Sequence, residues 1–209
     1  MKPLQFIRDG RRGTSAASAP DLPVFMNPIE FAQLATAAHA VAPKRVLEWG
    51  SGGSTAAMLR LLPTVESYVS IEHNREWFER VRSLVKDPRL DLRHAAPSEP
   101  EPVISERLSR PKRTAALKAW FARCEDEPAL MADYVALPGS IHTSYDFVLV
   151  DGRARNACMR AGYALLRSGG VMVIHDAQRP EYRETIESYP HHLFIEPWVQ
   201  GQICVIPKP

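Results

Sequence analysis

The ten residues VLEWGSGGST, at positions 46–55, decide the fold class of this chain of 209 residues. Residues 45–48 predict a short buried strand, a cluster of glycines follows, and residues 54–62 then have the spacing of a helix. Glycine lets the backbone turn sharply and lets a ligand approach it closely. The first turn of a helix also offers unpaired N–H donors. The segment therefore predicts a strand, a tight turn and a helix, with a ligand held over the turn.

Four further apolar runs alternate with helical patterns after this segment. They are SYVSIE, with a strand across Tyr68–Glu72, RLDLRHA at 89–95, YDFVLVD at 145–151 and VMVIHD at 171–176. Their apolar residues do not alternate strictly with polar ones, which is typical of a parallel sheet covered on both faces. The tail predicts two more strands around Gly201. The chain therefore predicts an α/β fold: a doubly wound, mostly parallel seven-stranded sheet with an antiparallel C-terminal strand pair.

The chain divides into an arm at 1–23 and a single domain at 24–209. Residues 1–23 mix glycine, serine, alanine, proline and arginine without periodicity, which predicts a flexible segment. Order is expected to begin at Asn27, which can cap a helix together with Pro28 and Glu30.

Composition argues against several classes of function. The net charge is +2, with 24% charged and 45% apolar residues, which does not favour a nucleic-acid partner. No apolar run approaches the ~18 residues of a membrane span. The cysteines Cys124, Cys158 and Cys204 form no C-x-x-C pair, which favours a reducing cytoplasm over a disulfide framework or a zinc finger. Oligomeric state is not indicated.

Two acidic residues stand beside the predicted ligand. Glu48 lies two residues before the first glycine, and Glu72 ends the next strand, 20 residues after Gly52. A carboxylate at Glu48 would repel a bound pyrophosphate by ~1–4 kcal/mol but would attract a cationic amine or sulfonium. A carboxylate at Glu72 can accept both hydroxyls of a ribose. Together they predict an adenosyl ligand with a charged amino-acid tail.

Across about residues 44–206, the chain resembles the class I S-adenosylmethionine-dependent methyltransferases. VLEWGSGGST resembles the first motif of that family, SIEHN the second, YDFVLVDG the fourth-strand motif and LLRSGGVMVIHD the fifth. The resemblance implies a Rossmann-like methyltransferase fold with S-adenosylmethionine as the methyl donor. It also implies that Glu72 holds the ribose and that His73 lies near the adenine. The residues implied around the methionine part are Glu48, Gly50, Ser51, Gly52 and Ser54. Ser54 stands where many members have their last glycine, and it either contacts the cofactor or caps the helix.

Three polar residues follow the fourth and fifth strands: Asp151, His175 and Asp176. Methyl transfer from a sulfonium requires in-line positioning and a deprotonated acceptor, so Asp151 or His175 can act as a general base. Alternatively, Asp151 and Asp176 bind a divalent metal, as in the catechol O-methyltransferase-like branch that this arrangement resembles. That branch usually adds an acidic or amide pair after the fifth strand. Here the neighbours are His175 and Ala177, so the ligand set is short and metal binding stays open.

A proline-rich segment at 97–144 joins the third and fourth strands. Because ligands bind at the carboxyl ends of strands in open α/β sheets, we expect this segment to form an acceptor-binding cap, with Tyr134 and His142 as candidate lining residues. Arg153 and Arg155 follow Asp151 and can pair with it or bind a carboxylate or phosphate of the acceptor.

The sequence therefore predicts a methyltransferase that acts on an oxygen or nitrogen of a small-molecule acceptor. One alternative is a non-catalytic adenosyl-binding module. Another is a nicotinamide-dependent oxidoreductase, which the missing third glycine of G-x-G-x-x-G and the position of Glu48 oppose. A third is aminopropyl transfer, as in the spermidine synthase-like proteins, which the two arginines near Asp151 oppose.

Overall fold

The computed structural model describes residues 22–103, 109–196 and 201–209, and these form a seven-stranded sheet packed between two layers of helices. The strands are β1 Arg45–Trp49, β2 Ser67–Glu72, β3 Leu90–His94, β4 Tyr145–Val150, β5 Leu166–Ile174, β6 Leu193–Ile195 and β7 Ile203–Pro207. The helices are α1 Pro28–Val41, α2 Gly53–Leu61, α3 Arg75–Leu84, α4 Arg110–Asp126, α5 Ala132–Ala136, α6 Pro138–Ile141, α7 Arg155–Leu165 and α8 Pro180–Glu187. Among the described residues, no helix is long and apolar enough to cross a membrane.

The sheet has the strand order β3-β2-β1-β4-β5-β7-β6. The first five of these strands pair in parallel, whereas β7 runs antiparallel to both β5 and β6. This confirms the predicted fold class, including the antiparallel C-terminal pair. The strand order reverses between β1 and β4, and open α/β sheets bind their ligands at such a reversal.

The predicted helix start is confirmed at α1. The Asn27 side chain accepts hydrogen bonds from Ile29 N and Glu30 N, and Glu30 accepts one from Asn27 N, which is a complete capping box. Order begins before Asn27, however. Residues 22–26 are described, and the rest of the predicted flexible arm lies outside the described residues.

The helix after β4 ends four residues before the glycine pair Gly169–Gly170. Helix α7 ends at Leu165, and β5 already begins at Leu166, which pairs with Tyr145 before the register shifts. Gly169 therefore lies inside the irregular start of β5, with a φ of +72°. Gly169 and Gly170 therefore mark an irregular part of a strand rather than the end of a helix.

Part of the segment at 97–144 packs against the core of the fold. Helix α4 and the residues after it bury Trp120, Cys124, Met131 and Tyr134 in the core beside the sheet. The segment thus supplies the helical layer between β3 and β4, as a crossover connection must. Its predicted role as an acceptor-binding cap stays a prediction.

Candidate active site

A cavity of about 650 Å³ lies at the carboxyl ends of β1, β2, β4 and β5, within the ~300–1,000 Å³ usual for small-molecule sites. Its walls come from the loops after these strands, from α3 and from the residues before α1. The predicted site residues on its wall are Gly50, Ser51, Gly52, Ser54, Glu72, His73, Asp151, His175 and Asp176. The structure therefore brings together all the predicted site residues except Glu48.

The turn after β1 depends on the absence of a side chain at Gly50. This residue has a φ of +96°, and a β-carbon here would lie 2.8 Å from the backbone of Asp151 and Gly152. Gly50 N donates to Ile71 O at 2.9 Å, and Asp151 N donates to Trp49 O at 2.9 Å. The close approach holds the turn after β1 directly against the loop after β4, so the two loops share one cavity wall.

Glu48 lies beneath this turn, fully buried, and does not line the cavity, contrary to the predicted contact with a ligand. Its carboxylate accepts hydrogen bonds from the hydroxyls of Ser54 at 2.8 Å, Thr55 at 2.5 Å and Ser70 at 2.8 Å. Burial raises the pKa of Glu48 to about 7, although these three hydroxyls act to lower it. Glu48 therefore fixes the turn to β2 and α2 from below. The Ser54 hydroxyl serves this same network.

Because the turn separates the buried Glu48 carboxylate from the cavity, Glu48 does not disfavour a bound pyrophosphate as the sequence predicted. A different feature opposes phosphate binding at α2. A β-carbon at Gly53 would lie 2.5 Å from the carbonyl oxygen of Pro23, so the chain before α1 passes directly over the start of α2. Gly52 N already donates to Thr55 Oγ1 at 2.8 Å. Oxygens of the protein itself therefore surround the helix N-terminus that phosphate usually binds.

Glu72 ends β2 as predicted, with its carboxylate on the cavity wall. Oε1 accepts hydrogen bonds from the backbone N–H groups of His73 at 2.9 Å and Asn74 at 2.8 Å. Oε2 accepts from both Ser51 N and Ser51 Oγ at 3.2 Å. Three of these donors belong to the backbone, whereas the Ser51 hydroxyl can rotate away. A ligand hydroxyl can therefore reach Glu72 by replacing the Ser51 hydroxyl.

An aromatic wall stands next to Glu72. Trp77 on α3 donates from Nε1 to Ser51 O at 2.7 Å, and the Phe25 ring lies 6.0 Å from the Trp77 ring. Phe25 is 74% exposed, although it is a large apolar residue. His73 lies opposite, with its ring edge against Tyr134. Flat apolar surfaces of this kind suit a heteroaromatic base.

The two aspartates offered as metal ligands are held by an arginine. The buried Arg155 places Nη2 3.1 Å from Asp151 Oδ1 and Nη1 3.4 Å from Asp176 Oδ2. Arg179 forms a further ion pair with Asp176. Among the described residues, no group of three or more His, Cys, Asp or Glu side chains is arranged to hold a metal ion. A guanidinium between the carboxylates does not fit a divalent metal, because the two cations would compete for the same oxygens.

His175 bridges two carboxylates. Its Nδ1 lies 2.8 Å from Asp151 Oδ1, and its Nε2 lies 3.2 Å from Glu30 Oε2. Burial alone would lower the pKa of His175, but the hydrogen bond to Asp151 and the charges of Asp151 and Asp176 outweigh burial and raise it. Both ring nitrogens therefore favour donating, and a histidine that keeps its proton is a poor general base. This argues against the predicted base role of His175.

Sequence reasoning missed the contribution of Glu30, which was assigned only to the helix cap. Glu30 is 3% exposed and also accepts a hydrogen bond from Gly201 N at 2.6 Å. No local pattern signals its contact with a histidine 145 residues away. Of the two candidate acceptor-pocket residues, Tyr134 is fully buried against His73. His142 contacts Ser67 Oγ at 3.0 Å, at the amino end of β2 and away from the cavity.

Comparison with solved structures finds the same fold. A methyltransferase-like protein from Silicibacter pomeroyi is similar over 90% of each chain, with 20% identity and a TM-score of 0.57. An O-methyltransferase from Bacillus cereus, solved with S-adenosylhomocysteine, is similar over 92% of this chain and 86% of its own, with 17% identity and a TM-score of 0.60. The O-methyltransferase TomG from Streptomyces achromogenes, solved with S-adenosylmethionine, is similar over 91% and 83%, with 17% identity and a TM-score of 0.56. No protein-family model matches the chain, and no curated protein matches it in sequence. At these identities the comparisons show the Rossmann-like methyltransferase fold.

Proposed function

We propose that this protein is an S-adenosylmethionine-dependent methyltransferase that acts on an oxygen or nitrogen of a small-molecule acceptor. The observation that carries the proposal is the shared wall of one cavity: the glycine turn after β1, the Glu72 carboxylate after β2 and the Asp151 carboxylate after β4. The fold comparisons support it, since two of the similar structures are O-methyltransferases solved with S-adenosylmethionine or its product. The three cysteines described as free and buried support a reducing, cytoplasmic location.

The residues of the cavity fit this cofactor. Glu72 is placed to accept the ribose hydroxyls, and the Phe25–Trp77 wall and His73 border the space beside it for the adenine. The backbone of Gly52 lines the cavity and has free space beside it. Even a β-carbon added at this position would meet no atom closer than the Trp77 ring, at 3.6 Å. The bound cofactor would supply a methyl group on a cationic sulfur.

Asp151 offers one carboxylate oxygen to a ligand at this site. Within the described part of the chain, its side-chain contacts with His175 and Arg155 both fall on Oδ1. Oδ2 therefore remains for a ligand, either a cofactor ammonium or the proton of an acceptor hydroxyl or amine. His175 is a positioning residue in this scheme, because it fixes the orientation of Asp151 through Nδ1. Only 17% of the Asp151 side chain is exposed, which limits competition from water.

Calorimetry with S-adenosylmethionine and S-adenosylhomocysteine tests the cofactor assignment. Glu72→Gln keeps one acceptor oxygen for the backbone donors but removes the charge, and we expect it to weaken binding by about 1–3 kcal/mol, or about 5- to 150-fold. Glu66→Gln is the matched control, since Glu66 directly precedes the same strand and is exposed in a pair with Lys44. Equal affinity of Glu72→Gln and the wild type would remove Glu72 from the site.

Asp151→Asn tests the chemical role. We expect S-adenosylhomocysteine formation with a pool of phenolic, carboxylic and amine acceptors to fall far more than the affinity for S-adenosylmethionine. An equal loss of both would make Asp151 a binding residue only. A wild-type protein that binds the cofactor but converts no acceptor would favour the non-catalytic adenosyl-binding module.

A further inference from the structure

We propose that Arg153 binds an anionic group, a carboxylate or a phosphate, of the ligand in this cavity. Arg153 lies in the loop after β4, two residues from Asp151, and lines the cavity. The assignment of this anion to the methyl acceptor rests on the proposed function. The binding of an anion by Arg153 is independent of the proposed function.

The structure leaves the Arg153 guanidinium without a counter-ion among the described residues. Its Nε is buried and has no hydrogen-bond partner there. The other cavity arginines are satisfied differently: Arg155 and Arg179 pair with aspartates, and Arg80 is exposed to water. Burial, followed by the nearby charge of Arg155, lowers the pKa of Arg153. A guanidinium is costly to bury unless an anion compensates it, so this position favours an anionic ligand.

An aromatic ring holds the guanidinium in place. The Arg153 Cζ lies 3.6 Å from the centre of the Phe121 ring, a stacked contact that fixes the plane of the guanidinium. Phe121 belongs to α4, in the segment predicted to bind the acceptor. A guanidinium fixed in plane presents two parallel N–H donors, the arrangement that carboxylate and phosphate groups accept. The contact gives the 97–144 segment a specific part in ligand recognition.

Two sources of the anion are compatible with this chemistry: a carboxylate or phosphate of the acceptor, and the α-carboxylate of the cofactor. They can be separated with four probes: inorganic phosphate, benzoate, S-adenosylhomocysteine and 5′-methylthioadenosine. The last of these lacks the amino-acid tail and therefore has no carboxylate. Binding is measured by calorimetry for the two nucleosides and by thermal stabilisation against concentration for the two anions.

The variants are Arg153→Gln, Arg153→Lys and a control, Arg183→Gln. Arg183 also stacks on an aromatic ring, that of Phe194, but lies outside the cavity in an exposed pair with Glu187. We expect Arg153→Gln to weaken phosphate and benzoate binding about tenfold or more, Arg153→Lys to weaken it less, and Arg183→Gln to leave it unchanged. Arg153→Gln removes a buried charge that is costly to the folded state, so we expect this variant to fold. The midpoint of its thermal unfolding, compared with that of the wild type, checks this.

Each outcome decides the proposal. Weakened phosphate or benzoate binding with unchanged S-adenosylhomocysteine binding supports an anionic acceptor. A loss of affinity for S-adenosylhomocysteine with unchanged 5′-methylthioadenosine binding supports the cofactor carboxylate as the anion. Arg153→Gln that matches the wild type with all four probes overturns the proposal. If neither nucleoside binds the wild type, the proposed function fails, and the phosphate and benzoate measurements still decide the role of Arg153.

Discussion

The buried carboxylate of Glu48 makes a quantitative prediction about stability. Because the pKa of Glu48 is raised to about 7 in the folded protein, the folded state binds this proton more tightly than the unfolded chain, whose glutamate titrates near ~4.3. The stabilisation is present below the unfolded pKa and is lost as the pH rises through the folded one. At 1.36 kcal/mol per pKa unit, the whole effect is about 4 kcal/mol, of which about 2–3 kcal/mol falls between pH 5 and pH 8.

Glu48→Gln isolates this effect. Glutamine is close in shape, cannot ionise, and can still accept from and donate to the hydroxyls of Ser54, Thr55 and Ser70. The unfolding free energy of the wild type minus that of Glu48→Gln should therefore fall by about 2–3 kcal/mol from pH 5 to pH 8. The raised pKa of His175 also makes the protein less stable as the pH rises. Because His175 is present in both proteins, subtracting the two unfolding free energies removes its contribution.

Urea unfolding followed by circular dichroism at four pH values measures this difference, with Glu66→Gln as the control for losing an exposed carboxylate nearby. A difference that stays constant within about 0.5 kcal/mol from pH 5 to pH 8 would refute the reasoning. Cofactor affinity gives a second readout. Because Glu48 does not line the cavity, its variant should bind S-adenosylhomocysteine within about threefold of the wild type, unlike Glu72→Gln.

Three further predictions follow from the same contacts. Gly50→Ala should destabilise the protein by more than about 2 kcal/mol in urea unfolding, because φ is +96° and the added β-carbon would lie 2.8 Å from the backbone of Asp151. Gly52→Ala is the control and should fold normally. Similar stabilities of the two variants would contradict this prediction. Glu30→Ala should lower the free energy of unfolding by about 3 kcal/mol, because it removes part of a helix cap and the acceptor for the buried Gly201 N–H. A decrease of less than about 0.5 kcal/mol would count against a stabilising role of these hydrogen bonds. Addition of Mg²⁺ or EDTA should leave calorimetric cofactor affinity unchanged, because Arg155 holds the aspartates; a tenfold change would show that a metal displaces the guanidinium.

The strands of the parallel sheet and the position of Glu72 at the end of one of them were predictable because they depend on local patterns. Apolar runs ending in acids or glycines identify the strands and the edge at which they stop. The burial of Glu48 depends instead on its partner strand: Glu48 lies directly opposite Ser70 in the register of β1 and β2. A serine inside the apolar run SYVSIE was the available signal, because an isolated polar residue in a buried strand needs a polar partner.

The contacts that sequence could not provide are those between distant segments. Pro23 over the start of α2 and Glu30 beside His175 join the N-terminal part of the described chain to loops far along the sequence. No spacing rule reports such contacts, since they follow from how α1 packs on the sheet.

These long-range contacts explain why the acidic residues of the site can coexist. Asp151 and Asp176 stand at neighbouring strand ends, where their charges would repel each other. Arg155 lies between them, and His175 adds a second donor to Asp151 from the opposite side. Both of these donors use Oδ1 of Asp151, so neither of them covers Oδ2. A site built in this way keeps one carboxylate oxygen of Asp151 for a ligand while protein cations balance the charges of the two aspartates.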